Sequence, residues 1–223
     1  MDTSNNQDKP KIVVLISGGG SNLQAIIDQV GAGTIDASIN LIISNNPDAK
    51  GLQRAATAGI ETAVIDHRDY DSRESFDREL MRHIDAEQPQ LVILAGFMRI
   101  FTPHFTNHYA GRMLNIHPSL LPKFKGTNTH ARAIEAGVAQ HGASVHFVTS
   151  ELDGGPLVIQ AIVDVKKADS PDQLASRVLQ QEHIIYPIAV KWFCEGRLSL
   201  DGSLVRLDKK TLPVEGIAYQ ASP

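Results

Sequence analysis

The sequence predicts an α/β fold, a mostly parallel twisted sheet with helices on both faces. Three observations carry that expectation. Short β-branched runs without polar alternation, such as Lys11–Ile16 and Leu91–Leu94, read as strands buried on both faces. Amphipathic helix-sized segments separate such runs, the spacing of βαβ crossovers. The run Gly18-Gly19-Gly20 stands between the first strand and the first helix, where a sharp turn is needed.

Taken in order, residues 1–10 lack an apolar core and read as a disordered arm rather than a secretory signal. After Lys11–Ile16, Ser21 is expected to cap a helix carrying Leu23, Ile26, Ile27 and Val30. Ile39–Ser44 reads as a strand, Ala49–Ala58 as a helix ending at Gly59, Glu61–Ile65 as a strand and Arg73–Glu87 as a helix. Leu91–Leu94 and Met113–Ile116 follow as strands, and Ala131–Ala136 as a helix. Gly142–Val148 and Leu157–Val165 read as two strands joined at Asp153-Gly154-Gly155. Ser170 with Pro171 starts a helix running to about Glu195, and a hairpin at Asp201-Gly202 closes the chain. No linker divides residues 11–223, so they are expected to form one domain.

Composition removes several function classes. A chain of 223 residues with 42% hydrophobic and 21% charged residues buries a core without staples. A net charge of −4 argues against a nucleic-acid binder, whose footprint is a basic face. No run approaches the ~18 apolar residues of a membrane span. The single Cys194 can form neither an internal disulfide nor a cysteine-rich zinc site, and it fits a reducing compartment. The expected location is cytoplasmic.

Ser17-Gly18-Gly19-Gly20-Ser21-Asn22 is suited to an anion, because free N–H groups at a helix start and the helix dipole both favour one. A P-loop would end in Gly-Lys-Ser/Thr, and a dinucleotide fingerprint would need a sixth-position glycine and a later carboxylate. Neither is present, so a phosphomonoester fits better than ATP or NAD. A plain tight turn is the bland alternative, but three glycines exceed what it needs.

Asn115 and His117 lie two apart at the end of a predicted strand, so their side chains share a face. Pro118 biases His117 toward extended backbone. An amide beside an imidazole can stabilise an oxyanion in acyl transfer. A histidine at a strand end is by itself more often structural. Asp153, in Glu151-Leu152-Asp153-Gly154-Gly155-Pro156, is ordinary turn chemistry, yet a carboxylate brought near His117 would favour its protonated form. Spacing does not show whether the two meet.

Five segments together carry a resemblance: Ile16–Leu23, Leu94–Ile100, Asn115–Pro122, Gly142–Pro156 and Gln181–Pro187. Over residues 11 to 219 the chain resembles the phosphoribosylglycinamide formyltransferase family of folate-dependent enzymes. That resemblance implies a Rossmann-like formyltransferase fold. It implies formyl transfer from 10-formyltetrahydrofolate to the glycinamide amine in purine biosynthesis, by direct attack and with no metal. Asn115, His117 and Asp153 match the catalytic trio, and Gly20, Ser21 and Asn22 the phosphate loop. Glu182 matches a contact to the glycinamide end, and Arg73 an arginine assigned to the folate. Met98, Arg99, Ile100 and Phe101 match the folate-pocket wall, which Asn115 borders. Thr149, Ser150, Glu151, Leu152 and Asp153 match the loop over the pterin. Lys125 and Asn128 depart from the proline and histidine often found there.

The implied partners are small molecules, with no nucleic acid or membrane, acting on a monomer or weak homodimer. A formyltetrahydrofolate hydrolase would share the trio but usually carries an extra N-terminal domain and a different glycine loop. A methionyl-tRNA formyltransferase would need an added C-terminal domain. A non-catalytic ligand-binding module would not need the trio. Of the remaining residues, His104 and His108 read as a solvated helix face, and Cys194 as packing. His146 reads as lining the formyl site or as core, and His130 as approaching the substrate or capping a helix.

Overall fold

The computed structural model describes residues 9–220. Positions 1–8 of the expected arm lie outside the described residues, and Lys9 and Pro10 lead directly into β1 (Lys11–Ile16). There follow α1 (Ser21–Gly31), β2 (Ser38–Ser44), α2 (Lys50–Thr57), β3 (Thr62–Val64), α3 (Arg73–Ala86) and β4 (Leu91–Leu94). Then come α4 (Pro103–His108), β5 (Met113–His117), α5 (Thr129–Glu135), β6 (Gln140–Phe147), β7 (Leu157–Asp164) and α6 (Pro171–Cys194). β8 (Leu198–Asp201), β9 (Leu204–Leu207), β10 (Lys210–Thr211) and β11 (Ile217–Tyr219) end the described chain.

Eight strands form one sheet in the order β11-β7-β6-β5-β4-β1-β2-β3. Only β6 runs against its neighbours, so the sheet is mostly parallel as expected. β1 sits where the order reverses, with β2 on one side and β4 on the other. Alternation along β1 divides the core. Ile12, Val14 and Ile16 face α1, α2 and α6, whereas Val13 and Leu15 face α3 and α4. All five are fully buried, which explains a run with no polar alternation.

The long helix α6 is capped as predicted: Ser170 accepts from Gln173 N–H, and the Gln173 side chain accepts from Ser170 N–H. Its Tyr186 hydroxyl, 2.9 Å from Leu94 O and 3.0 Å from Leu114 O, ties the helix to β4 and β5. β8, β9 and β10 form the expected hairpin plus one strand. No helix among the described residues is long and apolar enough to cross a membrane.

One expectation changes, and two elements join those assigned from the sequence. Ser21 is the first helical residue rather than the cap, which is Gly20 in a left-handed conformation with no side-chain bond. α4 is a helix of its own, started by Thr102 accepting from Phe105 N–H with Pro103 at the first position. β11 joins the sheet edge beside β7, a three-residue strand too short for periodicity to reveal.

Candidate active site

The reversal of strand order places the ends of β1 and β4 side by side, the crevice where open α/β sheets take ligands. Ser17–Asn22 after β1, with Ala95, Gly96 and Met98 after β4, line a cleft. The N–H groups of Gly20, Ser21 and Asn22 have no acceptor among the described residues, as expected of a helix start. Gly20 has φ 70, and a Cβ there would stand 2.6 Å from Gly51 Cα. Only glycine meets both demands. The need for Gly51 opposite was not visible in the sequence, because α2 reaches the loop only through the fold.

Asn22 Nδ2 donates to Glu182 Oε2 at 2.6 Å, joining the loop to α6. Burial pushes the Glu182 carboxyl above its ordinary range, although the Asn22 bond opposes this. Asn22 Oδ1 is buried without a partner. Glu182 thus borders the glycine loop.

At the end of β5 the expected trio assembles. His117 Nδ1 lies 3.4 Å from Asp153 Oδ2, and both side chains are nearly enclosed. Asp153 has φ 47 in its turn, so the turn that looked merely structural is what aims the carboxylate. Gly126 N–H donates to Asp153 Oδ2 at 2.8 Å, and His117 Nε2 donates to Phe124 O at 3.0 Å. The loop of residues 118–126 therefore closes over the pair. Its base is a buried polar network: Ser144 Oγ donates to Ser119 O at 2.6 Å and accepts from Leu121 N–H at 3.1 Å.

His146 belongs to this cluster, resolving the choice the sequence left open. Its Nδ1–H donates to Phe147 O at 2.9 Å, leaving Nε2 to accept from Asn115 Nδ2 at 3.0 Å. Burial depresses its pKa to about 4, so the ring is neutral near pH 7 and keeps that acceptor. The Asn115 amide is thereby fixed in one orientation. The antiparallel register, which pairs Asn115 with His146, sets up this contact.

A second cleft adjoins the trio and is lined by Arg99, Ile100, Phe101, Asn115, His146 and Thr149 through Asp153. One residue expected in this wall lies elsewhere. Met98 faces the glycine-loop cleft, and its N–H donates to Ser17 Oγ at 2.8 Å. Arg73, expected against the folate, is exposed in the first turn of α3 and is not part of this lining. The residues after β4 alternate between the two clefts and form their shared wall.

Lys125 Nζ donates to Glu151 Oε1 at 2.6 Å, so this departure from the family pattern bridges the two loops beside Asp153. Asn128 takes φ 56 as the cap of α5, a conformation asparagine tolerates. His130 packs edge-on against His141 at 5.2 Å instead of capping the helix. His108 Nε2 reaches Asp85 at 2.9 Å, an acidic partner the sequence did not suggest, while His104 is exposed. Among the described residues no group of His, Cys, Asp or Glu has metal-holding geometry. Burial pushes the Cys194 thiol up to about 12, consistent with packing rather than reactivity.

An amide, an imidazole and a carboxylate gathered at one strand end, beside an amide-lined loop, are the equipment of an acyl-transfer catalyst. Residues 10–190 match the formyl transferase family. The chain is 54% identical to the phosphoribosylglycinamide formyltransferase of Escherichia coli (strain K12), over 93% of this chain and 98% of that protein. The structure of the phosphoribosylglycinamide formyltransferase from Coxiella burnetii is 49% identical, with TM-score 0.92, covering 96% of this chain and all of that one. A formyltetrahydrofolate deformylase from Burkholderia mallei also shares the fold at TM-score 0.81, but at 30% identity and over 70% of its own length. The chain belongs to the formyl transferase family and, within it, to the phosphoribosylglycinamide formyltransferases.

Proposed function

We propose that this enzyme transfers the formyl group of 10-formyltetrahydrofolate to the amine of 5′-phosphoribosylglycinamide, in de novo purine biosynthesis. The observation that carries the reading is the union of the Asn115–His146 and His117–Asp153 pairs at the end of β5, between two clefts. In this proposal the ribonucleotide phosphate takes the N–H groups of Gly20, Ser21 and Asn22. Glu182 meets the glycinamide end. The folate takes the second cleft against Arg99, Ile100, Phe101 and the loop Thr149–Asp153.

The amine nitrogen attacks the formyl carbon, forming the N–C bond as the carbonyl electrons move to oxygen. Cationic His117 and the Asn115 amide stabilise that oxyanion, charge that exists only at the tetrahedral stage. To reach it, His117 Nε2 must release the Phe124 carbonyl. Asp153 balances the imidazolium and accepts the amine proton, through water. The oxyanion electrons re-form the carbonyl as the bond from the formyl carbon to the folate nitrogen breaks, and Asp153 passes the amine proton through water to that nitrogen, yielding tetrahydrofolate and formylglycinamide ribonucleotide. Arg73 is exposed and outside the cleft lining, so in this proposal it meets an outer part of the folate. The single Cys194 fits a reducing, cytoplasmic setting with small-molecule partners.

The test is incubation with 10-formyltetrahydrofolate, with and without the ribonucleotide. Cofactor loss that depends on the ribonucleotide is expected. Loss without it would make the protein a hydrolase, and no loss under either condition would refute both.

A further inference from the structure

The glycine loop is gripped from behind. Three consecutive carbonyls are bound on the side away from the cleft: Ser17 O accepts from Asn46 Nδ2 at 3.3 Å, Gly18 O from Gly51 N–H at 3.0 Å, and Gly19 O from Arg54 Nε at 2.9 Å. In a planar trans peptide the C=O of one residue and the N–H of the next point in opposite directions. Each outward carbonyl therefore turns the next N–H, those of Gly18, Gly19 and Gly20, toward the cleft. Two of the three grips come from backbone or a neutral amide. The third is a guanidinium, and Arg54 Nη1 also donates to Gln24 Oε1 on α1 at 3.3 Å. Arg54 thus bridges α2, the loop and the first turns of α1, and its Cδ lies 3.4 Å from the Cβ position of Gly20.

Charge makes this more than a strap. The cleft of Ser17–Asn22, Ala95, Gly96 and Met98 contains no lysine or arginine. Among the described residues Arg54 has no carboxylate partner, whereas five of the other ten arginines have one. Its charge therefore stands directly behind the loop without a direct ion pair; the nearest carboxylate of its surface pocket, Asp28, is held by Gln24.

We propose that Arg54 is a positioning and specificity residue for the substrate phosphate: it aims the Gly20 N–H into the cleft and supplies, through the loop, positive potential that the cleft lacks. This rests on the reading that the ribonucleotide phosphate occupies the glycine loop. It assigns phosphate recognition to a side chain on α2 that need not touch the phosphate.

The experiment compares wild type, Arg54→Met and Arg54→Ala with two acceptors, glycinamide ribonucleotide and the phosphate-free glycinamide riboside. Methionine keeps most of the stem that packs on the loop, so it serves if alanine loosens the fold. The expected result is a loss of about tenfold or more in the preference for ribonucleotide over riboside, expressed in KM. kcat, the folate KM and kcat/KM for the riboside stay within about threefold, and inorganic phosphate becomes a correspondingly weaker competitive inhibitor. An unchanged preference would overturn the assignment, as would parallel loss with both acceptors, which marks general structural support. Wild type showing neither a phosphate preference nor competition by inorganic phosphate would instead overturn the phosphate reading itself.

Discussion

Replacing Asp153 by asparagine removes one negative charge and little else. The Asp153 backbone has φ 47, a region asparagine tolerates, and the asparagine oxygen can still accept from Gly126 N–H, now 2.8 Å away. The turn and the covering loop should therefore survive. What disappears is a charge 3.4 Å from His117 Nδ1. At an effective dielectric of about 20, opposite charges at that distance attract by about 5 kcal/mol. If the attraction is fully used when His117 is cationic beside the oxyanion, kcat falls by up to about 10³–10⁴-fold. Loss of the proton acceptor acts on the same step, and such groups contribute ~10²–10⁴-fold. The assay is steady-state turnover monitored by tetrahydrofolate formation, with KM for both substrates and the melting temperature measured alongside. Both KM values should change by less than about threefold and the melting temperature by little. A kcat within about tenfold of wild type would refute the transition-state role. A parallel collapse of binding and melting temperature would make Asp153 a turn residue.

Other consequences can be tested separately. Gly20→Ala adds a Cβ 2.6 Å from Gly51 Cα at a residue with φ 70, costing about 2–5 kcal/mol and lowering the melting temperature by roughly 5–15 °C; an unchanged melting temperature would show that α2 does not press on the loop. His146→Phe keeps the ring but strands an Asn115 N–H, so kcat should fall about 10- to 100-fold with the folate KM nearly unchanged; wild-type kcat would mean that Asn115 is oriented by something else. His141 and His146 are both depressed to about 4 from an ordinary 6.5. Between those pH values the unfolded chain binds more protons than the native one, so their contribution to stability is present above about pH 6.5 and is lost as pH falls toward 4. Melting temperatures across that range should decline more steeply in wild type than in His141→Phe; identical slopes would remove His141 from the account.

The strands, the helices and most of the site were legible in the chain because each is written in a contiguous stretch. β1 and β4 match the expected residues end to end, since burial on both faces demands an unbroken apolar run. Asn115 and His117 were found by their spacing, and the turn at Asp153 by its glycines. Their meeting was not legible, because nothing local states that the β6–β7 turn folds back over the end of β5. The same limit hid Gly51 and Arg54 behind the glycine loop, and it hid that Met98 turns to the glycine-loop cleft. His146 required register: only the antiparallel pairing of β5 with β6 puts its bare nitrogen against Asn115, 31 residues away.

By itself, then, the sequence determined most of the elements, the glycine turn and the residue types available for acyl transfer. Those depend on periodicity, backbone freedom and side-chain chemistry, which act over a few neighbours. The tertiary structure decided which carboxylate faces which imidazole, which way the Asn115 amide points and what holds the loop amides toward the cleft. Those depend on crossovers and strand register that join residues far apart in the chain, and they decide the directions of hydrogen bonds on which the chemistry rests.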